Sequence, residues 1–332
     1  MSQLIERTDK GLYVPAADVH IDPWRGVDRA LLTHGHADHA RSGSASYLCT
    51  TAARPVIQHR LSRKKGIEAV DYGETVTIGG VRFSFHPAGH IPGSAQIRVE
   101  HEGEVWVVSG DYKTTDDGLS EPFEPVRCHT FITESTFGLP AYRWPDQRQV
   151  FHDIDAWWAA NAEQGRVSIL CGYSLGKAQR LLSGIDPAIG PIFVHPAVDR
   201  INKILAKQGY ALPATHKLSA STKKETTRGA LVVVPPAALD SKNLSRLGKA
   251  STAMASGWMA LRGARRRGNY DRGFVLSDHA DWDGLNHAVA ATAAERVLVT
   301  HGYAHTFAKW LREQGLDARD LDTEYQGDET TD

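Results

Sequence analysis

Cysteine is scarce in this chain: three residues in 332, Cys49, Cys128 and Cys171. They stand apart with no Cys-x-x-Cys pair, which argues against a disulfide framework or a thiolate zinc site and predicts a reducing, cytoplasmic setting. Charge of one sign is scarce too. Against 38 Lys and Arg stand 39 Asp and Glu, a net charge of −1, so bulk electrostatics point to no partner. No apolar run is long enough to span a bilayer, and the opening Met1-Ser2-Gln3-Leu4-Ile5-Glu6-Arg7 carries no apolar signal region, so no membrane partner is expected. Histidine, by contrast, is abundant, with 16 residues.

The densest group is Thr33-His34-Gly35-His36-Ala37-Asp38-His39, directly after the apolar Ala30-Leu31-Leu32. Three imidazoles and a carboxylate on so short a loop crowd a single ion. Two neighbouring ions accommodate them, with His34 and His36 facing one and Asp38 and His39 the other. The competing reading is a polar surface loop that happens to be rich in histidine.

Short β-rich runs with Gly, Asp and Pro punctuation fill the first half, the pattern of an α/β sandwich. Val76-Thr77-Ile78, Gly79-Gly80 and Val81 to Phe85 predict a hairpin, and Glu104 to Val108 and His129 to Ile132 predict strands. Gln147 to Glu163 has helical spacing, followed by a buried strand at Arg166 to Leu170 and a helix from about Leu175 to Leu182. Pro191 to Val194 and Ala230 to Val234 suggest a separate small α/β unit. Phe274-Val275-Leu276 and Arg296 to Val299 then resume the earlier pattern. The expected organisation is a discontinuous main domain, 1–144 and 271–332, interrupted by an inserted domain at 145–270. The acidic tail after Leu316 is expected to fray.

Later candidates repeat one geometry, a strand that ends in a ligand. His90 follows Phe83 to Phe85, Asp111 follows Trp106 to Val108, and Glu134 follows Phe131-Ile132. His279 follows Val275-Leu276, and His301 follows Val297 to Val299. Groups at the ends of sheet strands share one rim, where a rigid scaffold holds them to the tolerance a metal demands.

These residues resemble the metallo-β-lactamase superfamily. Glu134 in Thr133-Glu134-Ser135-Thr136-Phe137-Gly138 and His279 in Ser277-Asp278-His279-Ala280-Asp281 resemble two motifs of its β-CASP branch of nucleases. Gly11 to Pro15, Ile21-Asp22-Pro23-Trp24, Tyr47 to Thr50 and Thr300-His301-Gly302 resemble the bacterial DNA-ligase-associated exonuclease family. The likeness implies an αββα sandwich with an inserted α/β β-CASP domain. It implies one metal on His34, His36, His90 and Asp111, and a second on Asp38, His39, His301 and the shared Asp111. Asp22 would orient a ligand from behind, unless it only caps a strand end. Functional association with a DNA ligase and a helicase is likewise implied. One departure leaves DNA and RNA both open: the cross-link repair nucleases of this branch lack the histidine motif that His279 represents, whereas its RNA-processing members have it.

Two ions roughly 3.5–4 Å apart lower the pKa of water held between them and take up charge on a phosphodiester, giving hydroxide attack at phosphorus. Imidazoles suit zinc, and the carboxylates admit manganese. By resemblance, Asp38 and Asp111 belong to the catalytic set, and His279, paired with Glu134, gives a proton to the leaving oxygen; the alternative is a structural ion pair. For nucleic acid, Arg262, Arg265, Arg266 and Arg267 form a basic run ahead of His279, or else a solvated face. Ser174 and Lys177, in Gly172-Tyr173-Ser174-Leu175-Gly176-Lys177, could meet a phosphate at a helix start, or simply begin a capped helix. Tyr142, Trp144 and Trp258 could stack on bases, although core packing is the commoner fate. The expected function is a metal-dependent DNA exonuclease in repair, on single-stranded or frayed ends. The alternatives are a ribonuclease of the same branch, a thioester or lactam hydrolase, and an inactive nucleic-acid-binding relative.

Overall fold

A computed structural model describes residues 3–63, 65–239, 241–261 and 270–325. The strands in chain order are β1 (Glu6–Arg7), β2 (Leu12–Val14), β3 (Val19–Ile21), β4 (Arg29–Leu31), β5 (Ser46–Thr50), β6 (Ile67–Val70), β7 (Thr75–Ile78), β8 (Val81–Pro87), β9 (Ala95–His101) and β10 (Glu104–Val108). They continue with β11 (Thr130–Glu134), β12 (Val167–Cys171), β13 (Ile192–Val194), β14 (His216–Lys217), β15 (Leu231–Val234), β16 (Ala250–Ala255), β17 (Arg272–Phe274), β18 (Arg296–Thr300) and β19 (Asp317–Asp320). The helices are α1 (Arg54–Arg60), α2 (Gln147–Glu163), α3 (Lys177–Gly184), α4 (Pro196–Lys207), α5 (Lys242–Ser245), α6 (Trp282–Thr292) and α7 (Ala304–Glu313). The chain forms two compact units, Met1–Tyr142 with His279–Thr331, and Arg143–Asp278. It is an α/β protein.

The first unit holds two sheets, in the orders β1-β2-β3-β4-β5-β6 and β19-β18-β11-β10-β9-β8-β7. Alternation along the strands sets the layers. Trp106, Val108 and Ile132 face the first sheet's Leu12, Ile21 and Leu31 in one core. Their neighbours Val107 and Phe131 point the other way, against Leu285 and Val289 of α6 and Phe307 of α7. On the outer face of the first sheet, Ala30 and Tyr47 pack on Ile57 of α1. The layers run helix, sheet, sheet, helix. The β7–β8 hairpin turns at Gly79 and Gly80, both with positive φ (57° and 81°). That is the backbone a tight hairpin needs and glycine adopts freely.

The second unit carries one sheet, β14-β13-β15-β12-β16-β17, parallel at every pairing. Helices on both faces bury such strands entirely, which is why Leu231-Val232-Val233-Val234 is apolar without alternation. Leu231 and Val233 meet Ile154 and Trp158 of α2, while Val232 and Val234 face Leu244 and Leu247.

Two sequence expectations are corrected. The strand foreseen at Phe274-Val275-Leu276 stops at Phe274, because β16, its only sheet partner among the described residues, ends opposite it at Ala255; His279 therefore lies in a loop beyond the strand. The tail does not fray directly after Leu316. Ala318 is buried, and Asp317–Asp320 pair in parallel with Arg296–Val299 as β19. Among the described residues no helix is long and apolar enough to cross a membrane.

Candidate metal centre

The chain leaves the first sheet at Thr33, where Asp22 gathers it. Asp22 sits just beyond β3 with φ 43°. Its buried carboxylate accepts from Thr33 N (2.8 Å), Thr33 Oγ1 (2.5 Å) and His39 Nδ1 (2.7 Å). Both ends of the histidine loop are thereby tied to one anion.

Within this loop and its surroundings, two groups form. His34, His36, His90 and Asp111 bring ligand atoms within 4.8 Å of one another, and so do Asp38, His39 and His301. His36 Nδ1 lies 3.1 Å from His34 Nε2 and 3.0 Å from His90 Nε2. Tetrahedral ligation at about 2.0–2.1 Å from zinc would set such nitrogens roughly 3.3 Å apart. Asp111 stands between the groups. Its Oδ2 is 3.5 Å from His34 Nε2, 3.4 Å from His39 Nε2 and 3.8 Å from His90 Nε2, and its Oδ1 is 3.9 Å from His301 Nε2. Six of the seven residues are buried, and the His301 side chain is 5% exposed.

The donor set fits metal ions on a direct observation. Asp38 Oδ1, His39 Nε2, Asp111 Oδ1 and His301 Nε2 are buried with no hydrogen-bond partner among the described residues. Buried polar atoms are ordinarily satisfied; four that are not, on converging carboxylates and imidazoles, could serve a cation as ligands.

The hydrogen bonds behind the rings fix which nitrogen faces inward. The Thr33 hydroxyl donates to Asp22 Oδ2, so it accepts from His34 Nδ1 at 3.0 Å and leaves the Nε2 lone pair exposed to the group. The Thr300 hydroxyl donates to Thr133 O (3.2 Å) and accepts from His301 Nδ1 (3.0 Å), with the same result. His39 donates Nδ1–H to Asp22. In each case an outer oxygen orients the imidazole and selects its tautomer.

Electrostatics favour positive charge here. Burial opposes a charged His39, yet Asp111, Asp38 and Asp22 raise its imidazole well above the ordinary value. Burial, with the His39 charge, pushes His34 well below it. Burial also lowers His301 and raises the Asp38 carboxyl. It works against ionised Asp111 too, but His39 holds that carboxyl well below the usual range. The carboxylates of Asp22, Asp38 and Asp111 thus favour positive charge at His39.

Beside the first group, His279 Nδ1 lies 2.9 Å from both Glu134 oxygens. Glu134 is itself pinned: Oε1 accepts from Tyr112 N (2.7 Å), and Oε2 from Thr136 Oγ1 (2.5 Å) and Thr136 N (3.3 Å). The His279 and His90 rings are 4.7 Å apart. Glu134, His279 and Asp111 themselves form a third convergent group.

The other foreseen residues fall elsewhere. Ser174 and Lys177 are buried inside the second unit, where Lys177 Nζ donates to Leu276 O (2.9 Å) and pairs with Asp278 (3.1 Å). Gly176 N, at the start of α3, donates to Gln179 Oε1. Tyr142 is fully buried, the core fate. Arg262, Arg265, Arg266 and Arg267 lie outside the described residues. Sequence reasoning assigned no role to Thr33, Thr300, Tyr112 or Tyr325. A signal existed for the first two: the triplet Thr-His-Gly occurs at residues 33–35 and again at 300–302, and in both the threonine orients the histidine beside it.

No family model matches the chain. Over 310 residues it is 34% identical to a protein of Opitutus terrae named Probable DNA ligase, covering 93% of this chain and 30% of that protein. Over 154 residues it is 30% identical to Endoribonuclease YSH1 of Gibberella zeae, covering 45% of this chain and 18% of the other. The chain thus spans less than a third of the length of either relative. A crystal structure of a protein of unknown function from Enterococcus faecalis V583 shares the fold, with a TM-score of 0.58 at 11% identity over 90% of this chain and 79% of that one. With the likeness running across nearly the whole chain, the resemblance carried by the motifs holds at the level of family: the chain belongs to the β-CASP branch of the metallo-β-lactamase superfamily.

Proposed function

We propose that this chain is a metal-dependent phosphodiesterase acting as a DNA exonuclease in repair. In this reading the first unit is the metallo-β-lactamase αββα sandwich and the second is the inserted β-CASP domain. The observation that carries it is the Glu134–His279 pair beside the ligand groups, 2.9 Å from nitrogen to carboxylate. Cleaving a phosphodiester leaves an alkoxide that needs a proton, and an imidazole steadied by a carboxylate holds one near neutral pH. His34, His36 and His90 hold one ion, Asp38, His39 and His301 the other, and Asp111 both; zinc suits the set, and manganese is admitted. When bound, the ions supply an acidified water and positive charge at the phosphate. Asp22 and Glu134 each accept from the Nδ1 of an imidazole and fix the orientation of His39 and His279. Three buried free thiols suit a reducing cytoplasm.

DNA is the substrate this reading favours because the relative matched over 93% of the chain is named a DNA ligase, which also supports work alongside a ligase; association with a helicase is implied by the motif resemblance alone. Arg262, Arg265, Arg266 and Arg267 would add affinity for the phosphate backbone. The second reading, a ribonuclease, is favoured by the relatives named endoribonucleases. End-labelled single-stranded DNA and RNA, each with and without EDTA, test both readings. Metal-dependent release of mononucleotides from DNA is expected. Release from RNA alone would select the second reading, and no release from either would refute both.

A further inference from the structure

The segment that follows β19 crosses the second ligand group. Leu321 N still donates to Val299 O (2.8 Å), continuing past the strand. Glu324 pairs with Arg25 at 2.9 Å. The Arg41 guanidinium donates from Nη2 to Glu324 O (3.3 Å) and from Nε to Asp38 O (3.2 Å), joining this strap to the ligand loop. Tyr325 completes it. Its hydroxyl donates to Asp22 O at 3.1 Å. Its ring lies parallel to both imidazoles of the group, 4.7 Å and 5° from His39, and 4.6 Å and 7° from His301. The two imidazoles are themselves parallel, 7° apart in plane.

A physical requirement explains such a contact. Each imidazole is anchored at one atom, Nδ1, by Asp22 or by Thr300. A single hydrogen bond leaves the ring plane free to tilt, and the histidine χ2 torsion is intrinsically broad. A lone pair aimed at a metal tolerates little tilt. A flat aromatic ring against both faces supplies the missing constraint for both residues at once. Elsewhere the imidazoles of the first group brace one another edge to face, as His36 and His90 do at 80°; in the second group His39 meets His34 at 4.2 Å and 42°, whereas the rings against His301 are the parallel His39 and Tyr325, so Tyr325 is the brace the two imidazoles share.

We propose that Tyr325 is a positioning residue for the Asp38–His39–His301 ion site, so that the affinity of the second ion depends on the strap. This rests on the two-ion reading above. The test is a titration of metal-free, full-length protein with Co2+, followed by visible absorption, in the parent and in Tyr325→Ala, Tyr325→Phe and His301→Ala. The parent should bind in two steps, and His301→Ala identifies the step that belongs to the second group. Tyr325→Ala should weaken that step by about 10–100-fold, the usual effect of removing an outer partner of a ligand, and leave the other unchanged. Tyr325→Phe, which keeps the ring, should restore most of the affinity. Equal second-step affinity in Tyr325→Ala and the parent would overturn the role of the strap while the two-ion reading stands. So would an equal weakening of both steps, which means general loosening. A parent that binds in a single step would overturn the two-ion reading, and the strap's role with it.

Discussion

Replacing Asp22 by Asn isolates the proton logic of the site. The left-handed backbone at this position (φ 43°) suits Asn as well as Asp, so the fold itself is not challenged. The side chain is. Asp22 accepts three hydrogen bonds, from Thr33 N, Thr33 Oγ1 and His39 Nδ1. If the new amide oxygen faces Thr33 N, its NH2 faces the hydroxyl and His39. The Thr33 hydroxyl then loses its acceptor and turns its proton to His34 Nδ1, while His39 must accept at Nδ1. Both imidazoles shift their proton to Nε2, the atom that faces the ion. If the amide turns the other way, its NH2 meets the Thr33 N–H, and a buried donor is left unmatched at about 1–3 kcal/mol. The first route leaves no buried donor unmatched and is therefore favoured; it opposes the ligating tautomers, and ion affinity should fall by about 10–100-fold, or roughly 1.4–2.7 kcal/mol. Calorimetric titration of metal-free protein with Zn2+ measures this, with circular dichroism as the control on folding. Unchanged zinc affinity in a folded Asp22→Asn protein would refute the tautomer argument.

Three further outcomes follow from the same geometry. His279→Ala should keep both ions and the fold but lose turnover on DNA by about 10²-fold, which single-turnover assays on metal-loaded protein check; near-normal turnover would leave His279 as the structural partner of Glu134. Gly110→Ala should destabilise the first unit by about 1–3 kcal/mol and lower ion content, since the added Cβ would stand 2.6 Å from Thr33 Cβ and Oγ1 at a backbone φ of 56°; thermal melting and metal analysis report both, and parental values for both would contradict it. Burial pushes the Cys49, Cys128 and Cys171 thiols up to about 12. They stay protonated below that pH and lose the protection as pH rises through it, so iodoacetamide at pH 8 should label the protein only on unfolding; fast labelling of the native protein would count against it.

The strand-end pattern made most of the centre legible. His90, Asp111, Glu134 and His301 each stand at or shortly after an apolar run, and parallel pairing of β10, β11 and β18 carries three of those ends to one rim. The loop holding His279 broke the pattern, because the strand length at Phe274 is set by where β16 stops, which no local signal gives. Thr33 and Thr300 were legible only as a repeated triplet, since a hydroxyl's partner depends on the fold. Tyr325 was hidden for another reason. Its neighbours His39 and His301 are remote in sequence, and an acidic tail resembles solvated chain until Ala318 is seen to be buried. The inward turn of Lys177 was equally unreadable, because its partner Asp278 lies far along the chain.

The position of β18 also bears on how the protein is made. It pairs with β11 on one side and β19 on the other, yet the whole second unit lies between β11 and β18 in sequence. On the ribosome, the edge of β11 stays open while residues 135–295 are added, on the order of ten seconds at about 5–20 residues per second. Over that interval the growing chain holds His34, His36, His90 and Asp111, gains His279 only near its end and lacks His301 throughout, so it can gather the first ligand group and no complete centre. The exposed strand edge is the cost, and it places the aggregation risk of poorly folding variants at β11.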